Sequence, residues 1–389
     1  MTMVEIKPVP LILPARRTRP WRTALLAAVA VWAATTVARV AVSAFAWLPQ
    51  RQVPEAWMVV FGWNRWDAVH YVQIAEHGYH LGPGYPAFYP LYPILIRLFD
   101  PLLPGGGVVS ALVVANLAAI GALAVLHRLA EHEFGPLVAQ RATWYLAAFP
   151  TGFFLFVGYN ESLFILLAVG ALYAGRRGHW WLAGTLAAFS SATRLFGLLL
   201  IVPLAYEYFR RGRIGRDVFA LGLVPLGLAA YSLYCWVSLG DPLAFSVAQQ
   251  QWGREYTFPG LALLTAFEQR SGRPLLDPGS LAALLDAGTV LFALILLVAC
   301  VRGRWRFRRD QMYLVVHAVI AFGVLTSTEV GGRAMMSAAR FTLEAVAVFL
   351  VLARIAVHPL ADRAVLVIGM SLHAVLLVVY MASGDFMVA

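Results

Sequence analysis

Apolar residues run along this chain in long blocks, separated by short polar or basic turns. A membrane-crossing helix needs about 20 consecutive apolar residues. Eleven blocks read as candidate spans: residues 25–48, 108–130, 142–159, 162–175, 180–192, 195–209, 218–239, 280–301, 311–326, 341–357 and 364–382. The shorter ones fit spans that tilt little, or that break where they line a cavity. Two polar stretches are longer than the rest, 49–107 and 240–279. The pattern predicts an all-α polytopic membrane protein of about 11 helices, forming a single domain over residues 1–389.

Composition narrows the class. The chain is 61% hydrophobic and 13% charged, where a soluble domain is roughly half apolar and a quarter charged. That excludes a cytosolic enzyme, a secreted domain, a disordered tail and a nucleic-acid module. The net charge of +10 suggests an acidic partner until its distribution is drawn. Lys7 is the only lysine, and two-thirds of the basic residues fall on one set of alternate turns. They include Arg16, Arg17, Arg19, Arg128, Arg141, Arg176, Arg177, Arg210, Arg211, Arg354 and the arginines of 302–309. Positive turns stay inside. This sets the N-terminus in the cytoplasm and both long loops outside, and it explains most of the charge as topology. No nucleic acid is expected as a partner, and membrane lipids are. The 302–309 turn reads as a solvated inner loop near anionic lipid heads. A rival reading takes the basic start, the apolar run and Ala44-Phe45-Ala46 as a cleavable signal peptide. The apolar run is longer than such a segment usually has. Cys235 and Cys300 sit in apolar runs and read as small core residues.

The first outer loop, 49–107, is the most informative stretch. Trp66, Val69, Val72 and Ala75 recur at a helical period, and Gly78 is a plausible stop. Such an amphipathic helix lies along the membrane surface with Trp and Tyr at headgroup depth. Asp67, His70, Tyr71 and Ile74 share one face. Two readings of Asp67 compete: a helix N-cap, or a carboxylate beside an imidazole placed to take a proton. Downstream, Pro86, Pro90 and Pro93 forbid a regular helix, and the interleaved Phe88, Tyr89 and Tyr92 suit a rigid interface wall or a sugar-stacking surface.

These motifs carry a family resemblance. Trp66-Asp67-Ala68-Val69-His70-Tyr71, Ile74-Ala75-Glu76-His77-Gly78-Tyr79 and Ala87-Phe88-Tyr89-Pro90-Leu91-Tyr92-Pro93 resemble the PIG-V family and its bacterial relatives. Tyr159-Asn160-Glu161-Ser162, Ser190-Ser191-Ala192-Thr193-Arg194-Leu195-Phe196-Gly197 and Met336-Ser337-Ala338-Ala339-Arg340-Phe341 resemble later motifs of that family, in order. The resemblance implies a GT-C glycosyltransferase: an inverting mannosyltransferase that uses polyprenyl-phosphate mannose on the outer face of the plasma membrane. A lipid or glycolipid would be the acceptor. Its catalytic carboxylate falls on Asp67. His70, Glu76, His77, Asn160, Glu161 and Tyr89 become substrate-binding candidates by the same carry-over. Arg65 and Gly82-Pro83-Gly84 depart from the family pattern, which bears on acceptor recognition more than on the chemistry.

Sugar transfer needs a base, a stabilised leaving phosphate and an in-line anomeric carbon. Arg340, Arg194 and Arg333 lie at outer ends of spans or in the adjoining loop and are candidates for the donor phosphate. Arg254, Arg270 and Arg273 sit in the second outer loop, 240–279. For each, the competing account is a side chain that snorkels to water. Arg340 is favoured, because Glu344 one turn on can hold its guanidinium as a fixed fork; structural pairing with Glu344 is the alternative. Glu161 with Asn160 reads equally well as a substrate contact or as a helix cap. Asp286 is an intramembrane acid, which invites a functional role. No HExxH, carboxylate cluster or Cys pair appears, so no metal site and no cofactor are expected. A transporter or flippase for a lipid-linked sugar is the alternative class, though paired repeats are lacking. A non-catalytic scaffold subunit is a third.

Overall fold

A computed structural model describes residues 20–47, 56–258, 260–270 and 278–382. Lys7, Arg16, Arg17, Arg19 and Arg273 lie outside the described residues, as do parts of both long loops. The helices are α1 (Pro20–Trp47), α2 (Ala56–Phe61), α3 (Asp67–His77), α4 (Leu91–Phe99), α5 (Gly106–Phe134), α6 (Pro136–Ala147), α7 (Glu161–Arg176), α8 (Trp180–Ser191) and α9 (Phe196–Leu199). They continue as α10 (Ile201–Arg210), α11 (Leu226–Leu239), α12 (Ala244–Gln251), α13 (Leu261–Arg270), α14 (Pro278–Val301), α15 (Met312–Leu325), α16 (Ala338–Phe341), α17 (Val346–Ile355) and α18 (Pro359–Ala382).

Each of the eleven apolar blocks contains helix, but the blocks are not equal. Among the described residues, four helices are long and apolar enough to cross a membrane: Pro20–Ala46, Gly106–Phe134, Ser280–Val301 and Pro359–Ala382. A fifth follows if the bent pair Arg216–Leu223 and Leu226–Leu239, angled by 40°, counts as one span. The remaining blocks are shorter or broken, for local reasons. Block 142–159 loses its helix after Ala147, where Pro150 intervenes and Gly152 packs so tightly that a Cβ would sit 2.6 Å from the Ala147 carbonyl oxygen. Block 341–357 divides into α16, a 3-10 turn over Thr342–Glu344, and α17.

The centre of the bundle is α5, which packs against α1, α3, α4, α6 and α7. Its buried stripe is mostly small: Ala111, Ala115, Ala118, Ala119 and Ala122. Small side chains let neighbouring backbones approach closely where lipid offers no hydrophobic drive for helix association. Ser162 at the start of α7 exploits that approach and donates to the Ala115 carbonyl at 2.8 Å. α17 is enclosed, with Val346 to Val351 wholly buried. Outward faces are apolar too: Val37 and Phe45 on α1, Ile295 and Val298 on α14, and Val367 and Ile368 on α18 are exposed. A soluble domain rarely shows that much apolar surface; a bilayer accepts it.

The all-α expectation needs one correction. Three short antiparallel strands, β1 (Arg254–Tyr256), β2 (Thr328–Val330) and β3 (Arg333–Ala334), form a small sheet in that order. Arg254 pairs with Val330, and Val330 with Arg333. The β2–β3 turn is Gly331-Gly332, both at positive φ, the two-residue hairpin connection that glycine favours. The sheet ties the second long loop to the segment that leads into Arg340.

Candidate active site

The site grows from the turn before α3. Trp66 holds φ 55 and ψ −123, a rare backbone state for a residue with a side chain. Two tyrosines clamp this turn. Tyr380 of α18 donates to the Trp63 carbonyl at 2.9 Å, and Tyr159 donates to the Arg65 carbonyl at 3.2 Å. Trp63 in turn donates from its indole to Ser43 of α1 at 2.9 Å. The clamp aims Asp67, the first residue of α3. Asp67 is therefore not an N-cap: Trp66 takes that position and makes no side-chain cap bond.

Asp67 faces Arg340 across the bundle. Arg340 Nη1 donates to Asp67 Oδ2 at 2.8 Å. Asp67 Oδ1 takes no hydrogen bond among the described residues, and the side chain keeps 26% of its surface exposed. Arg340 is enclosed. Its Nε lies 3.3 Å from Glu161 Oε1, and its guanidinium stacks over the rings of Phe341, Phe154 and Tyr159 at 4.7, 5.3 and 5.3 Å. Backbone strain reappears here, with Met335 and Ser337 at φ 54 and 65. Asp286 steadies the turn by accepting from the Ala339 N–H at 2.8 Å, and Thr151 donates to the Ala339 carbonyl at 2.8 Å. The intramembrane acid Asp286 thus positions Arg340.

Arg194 is held by other partners. Its guanidinium contacts Glu161 and Glu344, and its Nε donates to Asn160 Oδ1 at 2.9 Å. Asp67, Arg340, Glu161, Arg194 and Glu344 form a ladder of alternating charge. Two sequence expectations change. Glu344 pairs with Arg194 and not with Arg340. Asn160 stands at the N-cap position of α7 without a side-chain cap bond; it gives its amide to the Thr193 carbonyl at 3.1 Å and its oxygen to Arg194. Glu161 Oε2 is buried and unpartnered.

His70 lies one turn along α3 from Asp67, walled by Phe88, Trp252 and Tyr85 at ring distances of 5.0, 5.1 and 5.4 Å. Burial lowers its pKa below the ordinary histidine value, and the Asp67 charge opposes that shift. The aromatic wall is fixed from the second loop and from α11: Trp252 of the loop donates to the Gly84 carbonyl at 2.9 Å, and Tyr231 of α11 to the Pro86 carbonyl at 2.8 Å. Tyr89 is buried in the same wall, against Tyr231 and Phe245. Glu76 and His77 are at the other end of α3, exposed and 3.9 Å apart. Arg333 sits half-buried on β3, within electrostatic reach of Asp286.

One residue gains weight from the structure. The side chain of Arg254 on β1 makes no hydrogen bond or ion pair among the described residues, and its Nε is buried. Burial pushes its guanidinium below the ordinary arginine value; Arg340 and Arg194 push the same way, against Tyr256 and Asp67. It is therefore a cation beside the site with no anion assigned to it. The Gly331-Gly332 pair after a β-branched run signals only the β2–β3 hairpin; no local pattern marks the docking of β1 on it. Among the described residues no three His, Cys, Asp or Glu side chains group as metal ligands.

Residues 32–212 match a family model described as mannosyltransferase (PIG-V). The match holds Asp67, Asn160, Glu161 and Arg194; Arg340 and Glu344 lie beyond it. The chain is 32% identical over 211 residues to GPI alpha-1,6-mannosyltransferase 2 of Cricetulus griseus, covering 52% of this chain and 42% of that protein. It is 28% identical over 204 residues to GPI mannosyltransferase 2 of Yarrowia lipolytica, covering 48% and 56%. The matches thus span about half the length of these curated relatives. A solved oligosaccharyltransferase of Archaeoglobus fulgidus overlays with a TM-score of 0.44 at 14% identity, over 81% of this chain and 49% of that one, too loosely to define a shared fold.

Proposed function

From the match of residues 32–212 to a mannosyltransferase (PIG-V) family model, we propose that this chain is an inverting mannosyltransferase of the GT-C type. Its donor is polyprenyl-phosphate mannose and its acceptor is a hydroxyl of a lipid-linked or glycolipid substrate, met on the outer face of the membrane. The observation that carries the reading is the Asp67–Arg340 pair, 2.8 Å apart, which leaves one carboxylate oxygen open.

The chemistry follows from that geometry. Asp67 Oδ1 takes the acceptor proton as the acceptor oxygen bonds to the anomeric carbon. The bond from that carbon to the phosphate oxygen breaks, and its electron pair leaves with the polyprenyl phosphate. Guanidinium groups stabilise the charge that develops there. Arg340 and Arg254 supply them, while Arg194 holds Glu161 and Glu344 in place. Displacement from the face opposite the leaving group turns a β-linked donor into an α-mannoside. His70, kept neutral by its aromatic wall, orients a sugar or acceptor hydroxyl. No step requires a metal ion.

Purified protein incubated with labelled polyprenyl-phosphate mannose and a lipid extract tests this reading. A mannosylated lipid identified by mass spectrometry is the expected result. Relocation of the donor across a vesicle bilayer without any mannosylated product would overturn it.

A further inference from the structure

A cavity of about 430 Å³ opens where α6, α17 and the turn after α14 meet. It is remote from the Asp67–Arg340 pair: α17 begins two residues after Glu344 and carries Arg354 in its last turn, roughly 15 Å further on for a ten-residue helix. Arg141, Arg304 and Arg354 line it, together with Leu137, Trp305 and Val357. The lining contains no carboxylate.

Three features make this a built anion site. Arg141 is buried, gives Nη2 to the Val357 carbonyl at 3.0 Å, and leaves a buried Nη1 without a partner. Asp362, 3.5 Å from Arg141 Nε, also accepts from Tyr145, so it answers only part of the charge. Arg304 stacks on Trp305 at 4.3 Å, which fixes its planar fork without using its donors. Arg354 donates from Nη1 to the Trp305 carbonyl and lies over the rings of Phe134 and Phe307, so it too is preorganised. Buried guanidinium donors without acceptors are costly until an anion answers them.

The walls say what kind of anion. Leu137 and Val357 are exposed apolar residues at the rim, and Trp305 is the side chain that membrane interfaces favour. A soluble anion gains nothing from them, whereas a lipid with acyl chains does. Basic pockets between helices are the usual seat of anionic headgroups on the positive side of a membrane.

We propose that this cavity binds the phosphate headgroup of an anionic phospholipid, with Arg141, Arg304 and Arg354 as its donors. This assignment is independent of the proposed glycosyl transfer. The test reconstitutes the full chain in nanodiscs of phosphatidylcholine with or without phosphatidylglycerol and counts retained lipids by native mass spectrometry. Phosphatidylglycerol should be retained over phosphatidylcholine, and Arg304→Gln should weaken that retention by about fivefold. Arg304 is exposed, so this change leaves the core intact; Arg304→Gln/Arg354→Gln should weaken retention further. A control pair, Arg213→Gln/Arg216→Gln, removes exposed arginines elsewhere and should change nothing. Equal losses in the pocket and control variants would overturn the proposal, as would unchanged retention in Arg304→Gln. Displacement of the lipid by millimolar inorganic phosphate would also overturn it, in favour of a soluble anion.

Discussion

Arg340 Nη1 reaches Asp67 Oδ2 at 2.8 Å and so joins the start of α3 to the short helix α16. Strained backbone flanks both partners, at Trp66 on one side and at Met335 and Ser337 on the other. Such strain persists only where surrounding contacts over-determine it. Tyr159 and Tyr380 do so beneath Asp67, and Asp286 and Thr151 beneath Arg340.

Arg340→Lys keeps the charge but loses the fork that spans Asp67 and Glu161. Transfer should fall by about a hundredfold, the scale of losing one transition-state donor. Initial rates at saturating donor check it. Near-normal turnover would mean that a point charge suffices.

Arg194→Ala should act on stability before activity. It leaves the buried carboxylates Glu161 and Glu344 without the guanidinium that contacts both, at a cost of about 3–5 kcal/mol for a broken buried pair. Thermal unfolding in detergent would show the loss. Replacing Arg194 together with Glu344 by apolar residues should recover part of it.

Arg254→Gln should behave in the opposite way. No acid depends on Arg254 among the described residues, so the thermal midpoint should hold. The KM for the lipid-phosphate donor should rise by roughly tenfold or more, the scale of a charge-assisted hydrogen bond. An unchanged KM would remove Arg254 from the phosphate site.

His70 makes stability depend on pH in a defined direction. Its pKa is lowered by burial, so the folded protein holds the imidazole neutral while the unfolded chain binds a proton near pH 6.5. The stabilisation is complete above that value and is lost as pH falls from it through the lower folded value. Thermal midpoints of the native protein should drop over that interval, and His70→Phe should flatten the drop.

Much of the local structure was legible in the sequence. The helical period after Trp66 gave α3, and Gly78 ends it at φ 82. The apolar blocks gave the helices. The partnership of Arg340 was not legible, because a pair four residues apart meets only on a continuous helix. Here α16 gives way to a 3-10 turn over Thr342–Glu344, and the two side chains diverge to partners far away in sequence. Tyr380 and Trp252 left no local pattern either, since each acts through a carbonyl in the first loop. Glu76 and His77 share a helix with Asp67, but about nine residues at 1.5 Å each set them roughly 14 Å away. Helix count suffered from proline and from close backbone approach, which break apolar blocks that composition alone reads as spans.

The proposed chemistry rests on the Asp67 carboxylate as the base. Asp67→Asn preserves size and polarity and can still accept from Arg340, so the fold should survive. The decisive measurement is mannose transfer from labelled polyprenyl-phosphate mannose by this variant, at matched protein level and thermal midpoint. With Asp67 as the base, a loss of about a thousandfold is expected, within the range that a positioned general base contributes. Transfer within a few-fold of the native rate would contradict it.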